Sequence, residues 1–153
     1  MNEKAEKYWN ELWKGKEKPQ PVDAWQFGDT PDELAQLVIQ GKKTTTTGAH
    51  MLYELKNKPL PVVGQYSIIL NGNDEPVAVI KIVDVQVMPM NQVSEKHAAG
   101  EGDCDAGYEF WWDLHKEFFT KGLAKFGKEF SEDMLVICKE FELFDVKRSV
   151  AEV

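Results

Sequence analysis

Arginine is nearly missing from this chain. Arg148 is the only one, and the other cations are lysines. The formal net charge is −8. An acidic body with so few guanidinium groups repels a generic polyanion and excludes broad, nonspecific coating of nucleic acid. Any nucleic-acid contact must be local, a basic pocket on an acidic surface. Cysteine is scarce as well: Cys104 and Cys138 stand alone, with no spacing that demands a disulfide. No apolar run reaches the length of a membrane span. The first residues, "MNEKAEKYWNELWKGKEK", are charged and amphipathic and have no signal-peptide core, which argues against secretion. Reduced thiols and the missing leader together lead us to expect a cytoplasmic protein without a membrane partner.

Chemical motifs are few. No glycine-rich phosphate loop and no G-x-S-x-G elbow is present, so two large enzyme classes are excluded. His50, His97 and His115 are scattered, and none has zinc-site spacing with a cysteine or carboxylate. No metal and no cofactor are expected.

What remains is an ordinary globular composition, 42% hydrophobic and 29% charged over 153 residues, enough for one core. We read residues 1–153 as a single domain, with 1–20 a helical extension and 21–146 the core. Apolar spacing predicts a helix over 4–14, followed by a glycine- and proline-broken linker at 15–22. "GDTPDELAQLVIQGKK" predicts the clearest helix. Thr30 is its cap, Pro31 its first position, Glu33 the closing member of a capping box and Gly41 its left-handed stop. Four threonines then carry the chain into an extended segment. "VVGQYSIIL" and "VAVIKIVDVQVMP", joined by "NGNDEP", read as a hairpin. "NQVSEKHAAGEGD" reads as a short helix and a loose loop. "GYEFWWDLHKEFFTKGL" has aromatic residues at helical spacing, which marks a buried face, with His115 packed among them. "MLVICKEFELFDV" alternates and closes the sheet. Antiparallel strands with inserted helices suggest an α+β domain, one form of which is a small barrel with helices on its rim.

Three stretches carry candidate chemistry. "GKKTTTTGAH" reads either as an edge strand protected by Lys and Thr or as an electropositive pocket at a helix-to-strand junction. In the pocket reading, Lys43 and Thr46 converge only if the strand bends, since a regular strand puts them on opposite faces. "AAGEGDCD" places Glu101 between glycines and reads either as a solvated acidic loop or as a carboxylate brought close to a ligand. Trp25 and Phe27, on a loop before the capped helix, either stack on a base or staple the helix.

The stretches "WQFGDTPDELAQLVIQGKKTTTT", "VVGQYSIIL", "VSEKHAAGEGD", the aromatic helix and "FELF", in this order, resemble the ASCH domain family, from about Trp25 to Phe144. They are similar in particular to longer bacterial members with an extra N-terminal helix. The resemblance implies a PUA-like β-barrel and RNA binding in the cleft beside the glycine–lysine motif. One bacterial branch is an amidohydrolase that deacetylates acetylcytidine with a lysine, a threonine and a glutamate. By this resemblance those catalytic residues fall on Lys43, Thr46 and Glu101. From the residues themselves we take Trp25, Phe27, Lys42, Thr44 and Asp103 as candidate ligand contacts, although Lys42 and Thr44, like Thr45 and Thr47, also fit a role as strand fabric. Another branch is linked to cleavage of single-stranded RNA. The sequence departs from the family motif Gly-x-Lys-x-x-Glu-x-Arg in having Thr46 at the Glu position and Gly48 at the Arg position.

The resemblance thus implies an RNA or nucleoside ligand. In its amidohydrolase form, Thr46 or a water attacks an amide carbonyl. Lys43 takes the proton or stabilises the oxyanion, and Glu101 protonates the departing amine. The rivals are a ribonuclease using the same pocket, a binding module without turnover, and a structural domain whose lysines only protect a sheet edge.

Overall fold

The computed structural model describes residues 1–28, 30–102 and 107–147. Five strands form one curled, mixed half-barrel sheet in the order β1 (Val22–Gln26), β3 (Tyr66–Leu70), β4 (Pro76–Pro89), β5 (Leu135–Val146), β2 (Thr45–Ala49). The helices are α1 (Glu3–Leu12), α2 (Pro31–Ile39), α3 (His50–Leu55), α4 (Glu95–Ala99) and α5 (Gly107–Ala124). This is the α+β, barrel-like architecture expected. Among the described residues no helix is long and apolar enough to cross a membrane.

Both faces of the sheet are covered, which explains the unbroken apolar runs in β3 and β4. Ile68, Leu70 and Val79 point to one face and receive Ala5, Tyr8 and Trp9 of α1. Ile69, Ala78 and Ile80 point to the other and receive Ala35 and Val38 of α2, with Phe27. A third cluster sets Trp111 and Phe119 of α5 on Val136 and Cys138 of β5. The helical extension is therefore part of the core. Asn2 caps it by accepting from the Ala5 amide at 2.8 Å.

Several local expectations are corrected. Thr30 occupies the cap position of α2, with Pro31 first in the helix, but its side chain makes no capping bond. Thr30 and Glu33 line a cavity instead. Trp25 lies on a strand, because β1 pairs in parallel with β3 and sets Trp25 opposite Ile69. That parallel pair makes the sheet mixed. β5 does not close the sheet. It runs inside it, long enough to pair with β4 along one side and β2 along the other. The threonine run is an edge strand, as one of its two readings held, and it leads directly into α3, a helix not anticipated.

Candidate functional site

The stop of α2 aims Lys43 inward. Gly41 adopts φ +76°, a conformation glycine enters without penalty. The amides of Lys42 and Lys43 both return to the Leu37 carbonyl, at 2.9 and 3.1 Å. Lys42 is left exposed and Lys43 is only 3% exposed. Opposite, α4 ends at Gly100, whose carbonyl accepts from the amides of Thr44 and Thr45 at 2.7 and 3.1 Å. A side chain at position 100 would stand 2.7 Å from the Thr45 methyl, so glycine is required for this approach. The next residue, Glu101, is thereby set beside Lys43.

The Lys43 ammonium donates to Glu101 Oε1 and to the Thr45 carbonyl, each at 2.9 Å. The other carboxylate oxygen, Oε2, accepts from Trp111 Nε1 at 2.5 Å, His115 Nε2 at 2.7 Å and Thr47 Oγ1 at 3.1 Å. Glu101 is 7% exposed. Burial alone would raise its pKa, but the charge of Lys43 and the bond from His115 prevail and hold the carboxyl well below the usual range. Glu101 is a buried, ionised carboxylate rather than part of a solvated loop.

Two histidines complete the network. His115 faces the Trp111 carbonyl with Nδ1, at 2.8 Å, and the carboxylate with Nε2, so both contacts are satisfied when the ring donates from both nitrogens. His97 Nε2 lies 2.8 Å from Thr47 Oγ1. The single Thr47 proton goes to Glu101, so His97 donates to Thr47 and carries its proton on Nε2. Burial lowers the His97 pKa, and Glu101 only partly offsets it.

This polar floor opens into a cavity of about 330 Å³ with Phe27, Phe110, Trp111 and Phe118 as walls. Lys43 Nζ stands 5.2 Å from the centre of the Phe27 ring. Thr46 lines the same cavity, and among the described residues its hydroxyl has no hydrogen-bond partner. Lys43, Thr46, Glu101 and Phe27 are thus brought together. Lys42 and Thr44 are exposed and line no described cavity, and Asp103 lies outside the described residues. Trp25 faces a second, adjoining cavity of about 490 Å³.

Sequence reasoning missed Thr47, His97, Trp111 and His115. A signal existed: His97 and Glu101 are four residues apart, as are Trp111 and His115, the spacing that brings side chains together around a helical turn. Among the described residues no three His, Cys, Asp or Glu side chains form a group able to hold a metal.

The arrangement of α2, β2, α4 and β5 around one lysine–glutamate pair has a counterpart in sequence, for the ASCH domain family model matches residues 23–145. The chain belongs to the ASCH family. The family is associated with RNA binding. A DUF984 protein from Enterococcus faecalis V583 is 37% identical, with a TM-score of 0.84 over 95% of this chain and 91% of that one. An ASCH domain from Lactobacillus crispatus JV V101 is 27% identical, with a TM-score of 0.86 over 95% of this chain and 96% of that one. No curated protein matches. The departure from the ASCH motif at Gly48 has a steric account. A Cβ at this position would stand 3.2 Å from the Tyr53 ring, so the phenol of α3 fills the space beside β2.

Proposed function

We propose that the Lys43–Glu101 cleft binds the base of a nucleoside or of an RNA strand and hydrolyses an acyl amide on that base. One observation carries this reading: a buried ion pair, 2.9 Å across, forms the floor of an aromatic-walled cavity of about 330 Å³. That volume falls in the range of small-molecule sites, which combine apolar walls with a few convergent polar groups.

The third contact of Lys43, to the Glu101 carbonyl, is 3.5 Å long, so a ligand oxygen can replace it. In this reading the ammonium holds the amide carbonyl and stabilises the oxyanion as it forms. A water, or the unpartnered Thr46 hydroxyl, attacks the carbonyl carbon. Glu101 enters ionised, so it accepts the nucleophile's proton first and delivers it to the departing amine second. Its affinity for that proton rises as Lys43 turns toward the oxyanion, because the charge that held Glu101 ionised is then shared. When water attacks, one C–O bond forms, the C–N bond breaks, and the acid and the neutral amine leave. When Thr46 attacks, the amine leaves first and a water then cleaves the acyl–Thr46 ester, restoring the hydroxyl and releasing the acid.

The test is release of cytidine from N4-acetylcytidine by the purified protein beside Lys43→Arg and Thr46→Val. Each variant is first shown to melt cooperatively. Turnover that is lost in Lys43→Arg supports the reading. Loss in Thr46→Val as well assigns the attack to Thr46, and survival there assigns it to water. No turnover by the wild type at high enzyme and substrate overturns the hydrolytic reading, and labelled single-stranded RNA then tests cleavage or simple binding in its place.

A further inference from the structure

We propose that the second cavity, of about 490 Å³, is a phosphate subsite that takes the phosphate of a nucleotide whose base lies in the first. This rests on the base-binding reading above. The two cavities adjoin: Phe27, Gly28, Thr46, Thr47 and Phe118 border both. Three lysines, Lys56, Lys58 and Lys139, line the second cavity. Among the described residues none of the three forms an ion pair. In a chain with 26 acidic and 18 basic residues, three unpaired lysines on one cavity are a concentration of charge opposite to that of the whole molecule.

Lys139 is the strongest element. It lies on β5 directly across from Thr46, so the two side chains share a face at the boundary between the cavities. It is 7% exposed and has no hydrogen-bond partner among the described residues. Its ammonium rests 4.6 Å from the centre of the Trp25 ring. The stem of Lys139 is buried while its ammonium borders the cavity, and a lysine buried to this degree is ordinarily paired. Burial lowers its pKa to about 8, and Lys43 and Lys58 push in the same direction while Asp23 opposes them. The remaining titratable groups on the cavity are Asp23, which accepts from Ser67 Oγ at 2.5 Å, and Tyr53, whose pKa is raised by burial and by Asp23. Asp23 offsets one of the three positive charges, and the cluster keeps a net positive charge. A phosphate entering over Trp25 supplies a direct ion-pair partner and acceptor oxygens at once. The local basic pocket that the composition demands of any nucleic-acid ligand is therefore here.

The experiment is calorimetric titration of cytidine, cytidine 5′-monophosphate, cytidine 3′-monophosphate and inorganic phosphate into the wild type and Lys139→Gln, both checked for cooperative melting. One monophosphate should bind about tenfold more tightly than cytidine, the value of a charge-assisted bond. That preference should disappear in Lys139→Gln while cytidine affinity holds, and added salt should weaken the monophosphate alone. Inorganic phosphate that binds the wild type and not Lys139→Gln supports the subsite even where cytidine fails to bind, an outcome that defeats only the base-binding reading. Equal affinity for cytidine and both monophosphates, a phosphate preference that survives Lys139→Gln, or no binding by any phosphate probe overturns the subsite.

Discussion

Lys43 and Glu101 are 58 positions apart in the chain, and their side chains meet at 2.9 Å. Removing either partner leaves a charge stranded in the interior. Lys43→Met should cost about 3–5 kcal/mol of stability. The double variant Lys43→Met with Glu101→Leu should cost less than that single change, because no buried charge remains unpaired. Urea unfolding of the two variants checks the order, and a double variant weaker than the single would show that shape, rather than charge, dominates here.

Acid should undo the same pair. The folded-state pKa of Glu101 is depressed below its ordinary value of 4.5. Its contribution is therefore complete above that pH and is lost as the pH falls toward the folded value. Glu101→Gln should lower the melting temperature at neutral pH and lessen its decline between neutrality and about pH 3. Parallel decline in both proteins would assign the acid sensitivity to other carboxylates.

Lys139 works in the opposite sense. The unfolded chain keeps its proton up to the ordinary 10.5, the folded chain only up to about 8. Between these values the unfolded state binds more protons, so stability rises with pH across that window, and the full penalty applies below it. Lys139→Met should stabilise the protein at neutral pH by on the order of 1–3 kcal/mol, a gain that disappears near pH 10.5. Thermal melts across this range decide it. Stability gained together with phosphate affinity lost is the trade expected of a binding residue.

Trp9 anchors α1 with 1% of its surface exposed. Its indole N–H is buried and has no hydrogen-bond partner among the described residues. Trp9→Ala should therefore cost about 3–5 kcal/mol through the cavity it leaves. Trp9→Phe should cost much less, since the lost N–H made no bond. Similar losses in both variants would mean that ring size alone decides.

The Cys138 thiol is buried, and burial together with Glu101 raises its pKa to about 11. In a Cys104→Ser background it should resist maleimide at neutral pH and react on unfolding, because the thiolate is the reactive form. Prompt labelling of the folded protein would contradict this.

Much of the fold was legible because its signals are local. The Pro31 start and Gly41 stop of α2, the β3–β4 hairpin and the aromatic spacing of α5 are each written within a few residues. Trp25 was misread because nothing near it announces a parallel partner, and a parallel pair is set by contacts far along the chain. The site divides in the same way. Lys43, Thr46 and Glu101 were reached through motif order, and the structure gathers them on one cavity. Thr47 was taken for fabric because alternation gives no hint that His97 and Glu101 arrive from α4. Lys139 was invisible, since its meaning comes from lacking a partner, which only the packed molecule reveals.

The position of β2 also sets the order of assembly. The strand that holds Thr46 and Thr47 pairs with β5 alone, and among the described residues β5 comes after the other four strands. A chain emerging from the ribosome can pair β1, β3 and β4 and seat α1 and α2 while its threonines still have no strand partner. The cleft takes shape when β5 slides between β4 and β2 and fixes Thr46 against Lys139. Binding competence should therefore arrive abruptly, once β5 has emerged and taken its place in the sheet.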